Sequence, residues 1–98
     1  MSNIDIDLHI GRKLRRRRRV LGMTQEEVGR RVGVRFQQIQ KYECAANRVT
    51  ASRLFCLAQA LDVPVNYFFD GLPANDRLGP PIFEAIDVGG DPIRKTNA

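Results

Sequence analysis

Tryptophan is absent from this 98-residue chain, and five Phe and two Tyr are its only aromatic residues. A core made from such a sequence rests mainly on Leu, Ile and Val, which suits a helical bundle. Cysteine is almost as scarce. Cys44 and Cys56 stand apart, with no CxxC pair and no His-rich companion. That argues against a zinc site and a disulfide framework, and leaves two thiols expected to be buried in a reducing cytosol. No apolar run nears the roughly 18 to 20 residues that cross a bilayer, and no basic stretch leads into an apolar one near Met1. A soluble, cytoplasmic protein without membrane association is therefore expected. His9 is the single histidine. With no paired carboxylates, no base beside a Ser or Cys and no ligand cluster, neither an enzyme nor a metal or cofactor site is expected.

Acids are the minority charge. The chain carries 16 Lys and Arg against 11 Asp and Glu, a net +5. The excess is concentrated between Ile10 and Asp70, where 13 basic residues face 5 acids for a net +8. A basic surface confined to the folded part is what a polyanion partner requires. The length leaves room for one domain and tails.

Apolar periodicity and end signals predict five helices. Ile10, Leu14, Arg18 and Leu21 trace one face of a first helix starting near Asp7, with Gly22 as its stop. Thr24 and Glu27 form a capping box for a short second helix that buries Val28 and Val32 and ends at Gly33. A third helix runs from Arg35 to about Cys44, with Phe36, Ile39 and Tyr42 on a narrow packing face and Gln and basic residues around the rest. Thr50 or Ser52 caps a fourth helix carrying Leu54, Leu57, Ala58 and Leu61. Asp62-Val63-Pro64 breaks it. Val65 to Phe69 reads as a short fifth helix, ended by Asp70-Gly71. Four of the five prolines follow Gly71, so 71–98 is expected to be an extended Pro/Gly-rich tail. In it Ile82, Phe83, Ile86 and Val88 are the candidate docking residues.

The stretch from Gln25 to Tyr42 meets three demands of two short helices packed at roughly 90 to 120° on a tight turn. Gly29 leaves space where the helices cross, Gly33 tolerates positive φ at the turn, and Val28, Val32, Val34, Ile39 and Tyr42 point inward. These residues and spacings resemble the Cro and lambda-repressor-like helix-turn-helix family, also called the XRE family. The likeness extends through GRKLRRRRRVLGMTQEEVGRRVGVRFQQIQKYECAANRVTASRLFCLAQALDVPVNYFFDG, about three fifths of the chain. The family often has Ala at the position of Gly29 and Gly near that of Ala45, so the exit from the third helix is expected to be shaped differently here.

The resemblance implies an all-α, five-helix lambda-repressor-like DNA-binding domain spanning 8–70, between an N-terminal arm 1–7 and the tail 71–98. It implies a recognition helix, Arg35 to Cys44, lying in the major groove. There Gln37 and Gln38 present amides to adenine, and Arg35 or Lys41 reaches guanine. Gln40 extends that surface, and Phe36 either touches a thymine methyl or packs inward. Gln37, Gln40 and Lys41 are the favoured readers. Thr24 and Gln25, at an anion-attracting helix start, with Asn47, Arg48 and Arg53, are the expected phosphate contacts. Five consecutive arginines, 15–19, point all round a helix axis, so at least one faces the core. By the family pattern it is Arg18, paired with Glu43, which leaves Arg12, Arg16 and Arg19 solvated or weakly attractive to DNA at long range.

Sequence-specific recognition of double-stranded operator DNA is thus the expected function, as a homodimer joined through Val65, Tyr67, Phe68 and Phe83. Two rival readings are an autorepressing antitoxin whose tail binds a toxin, and a protein-interaction module that has lost DNA binding.

Overall fold

Ser2 starts the first helix, earlier than the expected Asp7. In the computed structural model, whose description covers residues 1–73, α1 spans Asn3–Val20. The Ser2 hydroxyl accepts the Asp5 backbone N–H at 3.3 Å, and the Asp5 carboxylate accepts from the Ser2 backbone N–H and hydroxyl at 3.2 and 2.9 Å. These bonds hold the Asp5 carboxyl below its ordinary range. This reciprocal cap satisfies two free backbone donors and converts most of the expected arm 1–7 into helix. An aspartate at the third helical position does here what the search for S/T-x-x-E/Q overlooks.

The remaining elements are α2 (Gln25–Val32), α3 (Phe36–Glu43), α4 (Ala51–Ala60) and a 3-10 helix, Val65–Phe69. Thr50, rather than Ser52, caps α4, its hydroxyl accepting the Arg53 N–H at 3.2 Å. The expected fifth α-helix is corrected to the tighter 3-10 form. Five residues between Pro64 and an extended Asp70 are too few to develop an α ladder. No strand occurs among the described residues.

The core joins Ile10 and Leu14 of α1, Val28 of α2, Ile39 and Tyr42 of α3, Leu54, Leu57 and Ala58 of α4, then Leu61 and Phe68. Each fully buried Leu, Ile or Phe contributes about 1.5 to 3 kcal/mol. Closeness at one crossing is set by Gly11. A β-carbon there would lie 2.5 Å from the Glu43 carbonyl oxygen and 2.6 Å from that of Tyr42, so α1 rests directly on the last turn of α3.

Polar side chains tie the helix ends to this core. Arg17 donates from Nε to the Leu61 carbonyl at 2.8 Å and from Nη2 to that of Asp62 at 3.4 Å, serving the C-terminus of α4, where cations are favoured. His9, expected to be without a special role, donates from Nε2 to the Asp70 carbonyl at 2.8 Å and so joins α1 to the end of the 3-10 helix.

Three expectations about apolar groups are overturned. Phe68 is wholly buried. Tyr67 is half-buried, its hydroxyl donating to the Lys13 carbonyl at 3.2 Å and its ring lying 4.4 Å from the Lys13 ammonium. Neither is free to form a dimer surface, because the short helix spends both rings on its own core. Val65 is exposed, as its expected place on that surface requires, and so are Phe55 and Phe69; Phe83 lies outside the described residues. Cys44 and Cys56 are exposed free thiols, since Cys44 stands at the end of α3 and Cys56 on the outer side of α4. Phe36 is 46% exposed and does not share the packing face of Ile39 and Tyr42.

Candidate nucleic-acid interface

Geometry around α3 begins with the start of α2. The Thr24 hydroxyl accepts the Glu27 N–H at 3.0 Å, and the Glu27 carboxylate accepts the Thr24 N–H at 2.7 Å. The backbone bond from Thr24, followed by its hydroxyl, keeps the Glu27 carboxyl below its ordinary range. After two turns Gly33 takes φ +80 and reverses the chain. The N–H of Val34 returns to the Gly29 carbonyl at 2.9 Å, a bond that closes the helix end. A β-carbon on Gly29 would sit 2.5 Å from the Val34 carbonyl oxygen. The alanine common at this position in the family would need the turn to shift.

Helix α3 follows immediately, with Arg35 at its N-cap and no side-chain cap bond. Ile39, Tyr42 and Glu43 are buried on its inner side, whereas Arg35, Phe36, Gln37, Gln40 and Lys41 are exposed and Gln38 is half-buried. Among the described residues, the side chains of Arg35, Gln37, Gln40 and Lys41 make no hydrogen bond with protein. Two amides and two cations therefore stand with their full donor capacity on one short helix. The pattern of burial separates Gln38 from Gln37, Gln40 and Lys41, as the narrow inner face of α3 demands.

Glu43 holds this helix in place. Its side chain has no solvent exposure, and that of Arg18 has 11%. Arg18 donates from Nε to Oε2 at 2.6 Å and from Nη2 to Oε1 at 3.0 Å, and its Nη1 donates to the Met23 carbonyl at 3.0 Å. The expected pairing of Arg18 with Glu43 is present as a two-pronged contact. Arg15 adds a bond from Nε to Oε1 at 3.3 Å, and Gln25 one from Nε2 at 3.1 Å. Sequence reasoning missed both, because nothing local in an arginine run tells which members converge on a distant carboxylate. Burial pushes the Glu43 carboxyl up, but the bonds from Arg18 and Gln25, the Arg18 charge and the Arg15 bond outweigh it and leave the carboxyl below its ordinary range. The Glu43 bond raises the Arg18 guanidinium in turn.

The expected phosphate contacts are partly engaged inside the molecule. Thr24 uses its acceptor on the cap and keeps its O–H, and Gln25 gives one amide N–H to Glu43 and keeps the other. Arg48 donates from Nε to Asp7 at 3.0 Å, joining the chain beyond α3 to α1. Arg53 donates from Nη1 to the Val32 carbonyl and closes the C-terminus of α2. Asn47 is exposed. Behind α3 the chain leaves through Ala45 at φ 61, with the N–H groups of Ala46 and Asn47 turned back to the Lys41 carbonyl at 2.9 and 3.2 Å. The backbone takes the left-handed shape a glycine would take, so the expected difference in the exit is corrected to a difference in residue only.

Among the described residues no cluster of His, Cys, Asp and Glu fits a metal ion, and no helix is long and apolar enough to cross a membrane.

A family model described as helix-turn-helix matches residues 14–68. The chain is 47% identical over 91 residues to a transcriptional regulator in the ATPase CF(0) region of Rhodospirillum rubrum, covering 89% of this chain and 84% of that protein. It is 51% identical over 81 residues to an HTH-type transcriptional regulator of Sinorhizobium medicae, covering 82% of this chain and 58% of that longer protein. In structure it is similar to the restriction-modification controller protein C.AhdI from Aeromonas hydrophila, with TM-score 0.67 and 23% identity over 70% of this chain and 100% of that one. It is also similar to the P22 c2 repressor in complex with a synthetic operator, with TM-score 0.59 and 29% identity over 63% of this chain and 94% of that one.

Proposed function

Because the chain belongs to the helix-turn-helix family of transcriptional regulators, we propose that it reads double-stranded DNA sequence-specifically by laying α3 in the major groove. The observation that carries this reading is the row of unengaged side chains Arg35, Gln37, Gln40 and Lys41 on the outer side of a helix pinned from behind by Glu43. Glutamine amides pair bidentately with adenine N6 and N7, and the cations with guanine O6 and N7. The exposed Phe36 ring is offered to a thymine methyl. Gln38 is a secondary reader. Thr24, the second N–H of Gln25, Asn47 and the free nitrogens of Arg48 and Arg53 take phosphates, which set register without reading sequence.

One such head buries a modest surface, roughly 600 to 1,000 Å². A homodimer on a palindromic operator, two half-sites about one helical turn apart, supplies the rest. The exposed Phe55, Val65 and Phe69 support self-association through α4 and the 3-10 helix.

Selection from a pool of randomised duplexes tests both claims. The expected product is a palindrome, and Gln37→Ala is expected to lose about 1 to 3 kcal/mol of discrimination at one base pair of each half-site. Sedimentation of Phe55→Lys combined with Phe69→Lys is expected to give a monomer. No enriched sequence, or indifference to Gln37→Ala, refutes groove reading and favours a protein-interaction module.

A further inference from the structure

Helix α1 carries a second basic surface that the reading of α3 does not use. Arg12, Arg15, Arg16 and Arg19 stand at intervals that place them on one side of a helix, and together with Val20 they line a single surface cleft. Among the described residues Arg12, Arg16 and Arg19 have no acidic partner, and Arg15 shares the one carboxylate of Glu43 with Arg18. We infer that this arginine face of α1 grips the phosphates of the duplex flanking the segment read by α3. The inference rests on the groove reading proposed for α3.

Its position is the first support. Arg15 and Gln25 donate to the same Glu43 oxygen, at 3.3 and 3.1 Å. The arginine face therefore adjoins the start of α2, where a phosphate is proposed to sit, and continues outward from it. From Arg12 to Arg19 the helix rises about 10 Å, comparable with the rise over which one DNA strand presents about three phosphates. The second support is chemical. Guanidinium forks match phosphate oxygens bidentately. The cleft is lined by no aromatic ring on which an unpaired base stacks, and Val20 is its one apolar residue, too little to anchor a protein. A continuous duplex backbone fits such a face.

The test uses the full chain with Arg12→Gln, Arg16→Gln and Arg19→Gln combined. Arg15 is kept because it touches Glu43. Glutamine sustains a helix about as well as arginine, and an unchanged thermal midpoint and helical circular dichroism certify the fold. The probe is a mixed-sequence duplex reaching a full helical turn beyond the reading helix on either side, alongside any duplex recovered by selection. Each lost phosphate contact lowers the salt slope by about 0.9. Three lost contacts per protomer lower it by about 2.7, so the variant loses about 40-fold less affinity than the parent between roughly 50 and 200 mM salt. The loss of affinity at low salt is expected to be equal on selected and mixed duplexes, and the triple lysine variant is expected to restore the slope. An unchanged slope overturns the inference, as does a loss of binding to polyglutamate with none to DNA. Base preference altered by Gln37→Ala but not by the arginine changes keeps the two readings separate, and absence of any selected sequence refutes the reading of α3 while the slope still reports on α1.

Discussion

Replacing Ala45 by glycine is expected to stabilise this protein. Ala45 follows directly after α3 and its C-cap Cys44, and its φ of 61 lies in the left-handed region. A residue with a β-carbon pays about 1 to 2 kcal/mol to stay there, and glycine pays nothing comparable. Against this stands the greater freedom of glycine in the unfolded chain, worth about 0.4 to 1 kcal/mol. At mid-range values of about 1.5 and 0.7 kcal/mol the net gain is about 0.8 kcal/mol. For a domain of this size that raises the thermal midpoint by about 3 to 6 °C. The three turn-closing bonds, from Ala45 to the Tyr42 carbonyl at 3.2 Å and from Ala46 and Asn47 to that of Lys41, need no change, so the exposed face of α3 keeps its aim. Differential scanning calorimetry of Ala45→Gly beside Ala46→Gly is the assay. Ala46 has no positive φ, so glycine there carries the entropic loss without the relief and lowers the midpoint. Equal destabilisation by both substitutions refutes the reasoning, because it means that Ala45 bears no left-handed strain.

Gly11→Ala tests the crossing of α1 on α3. The added methyl gains about 1 kcal/mol in helix propensity but meets two backbone oxygens within 2.6 Å. Overpacking against a backbone that has no rotamer to change costs about 1 to 3 kcal/mol, so urea unfolding is expected to show a net loss with weaker DNA binding, and an unchanged midpoint sinks the claim of close contact. Glu43→Gln leaves Arg18 without its counter-charge and is expected to cost about 3 kcal/mol at neutral pH. Since the folded carboxyl of Glu43 titrates below its unfolded counterpart, its contribution is fully present above the unfolded value of about 4.3 and fades as acid carries the pH down through the folded one. Acid unfolding curves are expected to be shallower below that value for Glu43→Gln than for the parent, and parallel curves would contradict the role given to the ion pair.

Local chemistry made much of this legible in advance. Thr24 with Glu27, Gly33 at the turn and the spacing of Val28, Ile39 and Tyr42 each specify conformation through neighbours a few residues away, and the structure has α2 and α3 bounded as those signals require. The same locality explains the misses. The Ser2–Asp5 cap was hidden because it closes with an aspartate at the third helical position, where the capping-box pattern calls for Glu or Gln. The exposure of Cys44 and Cys56 was misjudged, and the side taken by Phe36 stayed open, because apolar character does not say which side of a short helix the rest of the chain covers. Arg12, Arg15, Arg16, Arg18 and Arg19 are chemically identical, and only the place of Glu43 distinguishes them.

By itself, then, the order of residues determined the bounds of α2, α3 and α4, that the packing is all-helical, and which side chains on α3 carry amides and cations. Those properties depend on contacts within one or two turns. The tertiary structure alone decided that Glu43 collects Arg18, Arg15 and Gln25, that Arg53 and Arg48 are drawn to Val32 and Asp7, and that Tyr67 and Phe68 turn inward while Phe55 and Phe69 stay out. Such pairings join residues far apart along the chain, and their energies depend on burial and distance, which exist only once the helices have packed.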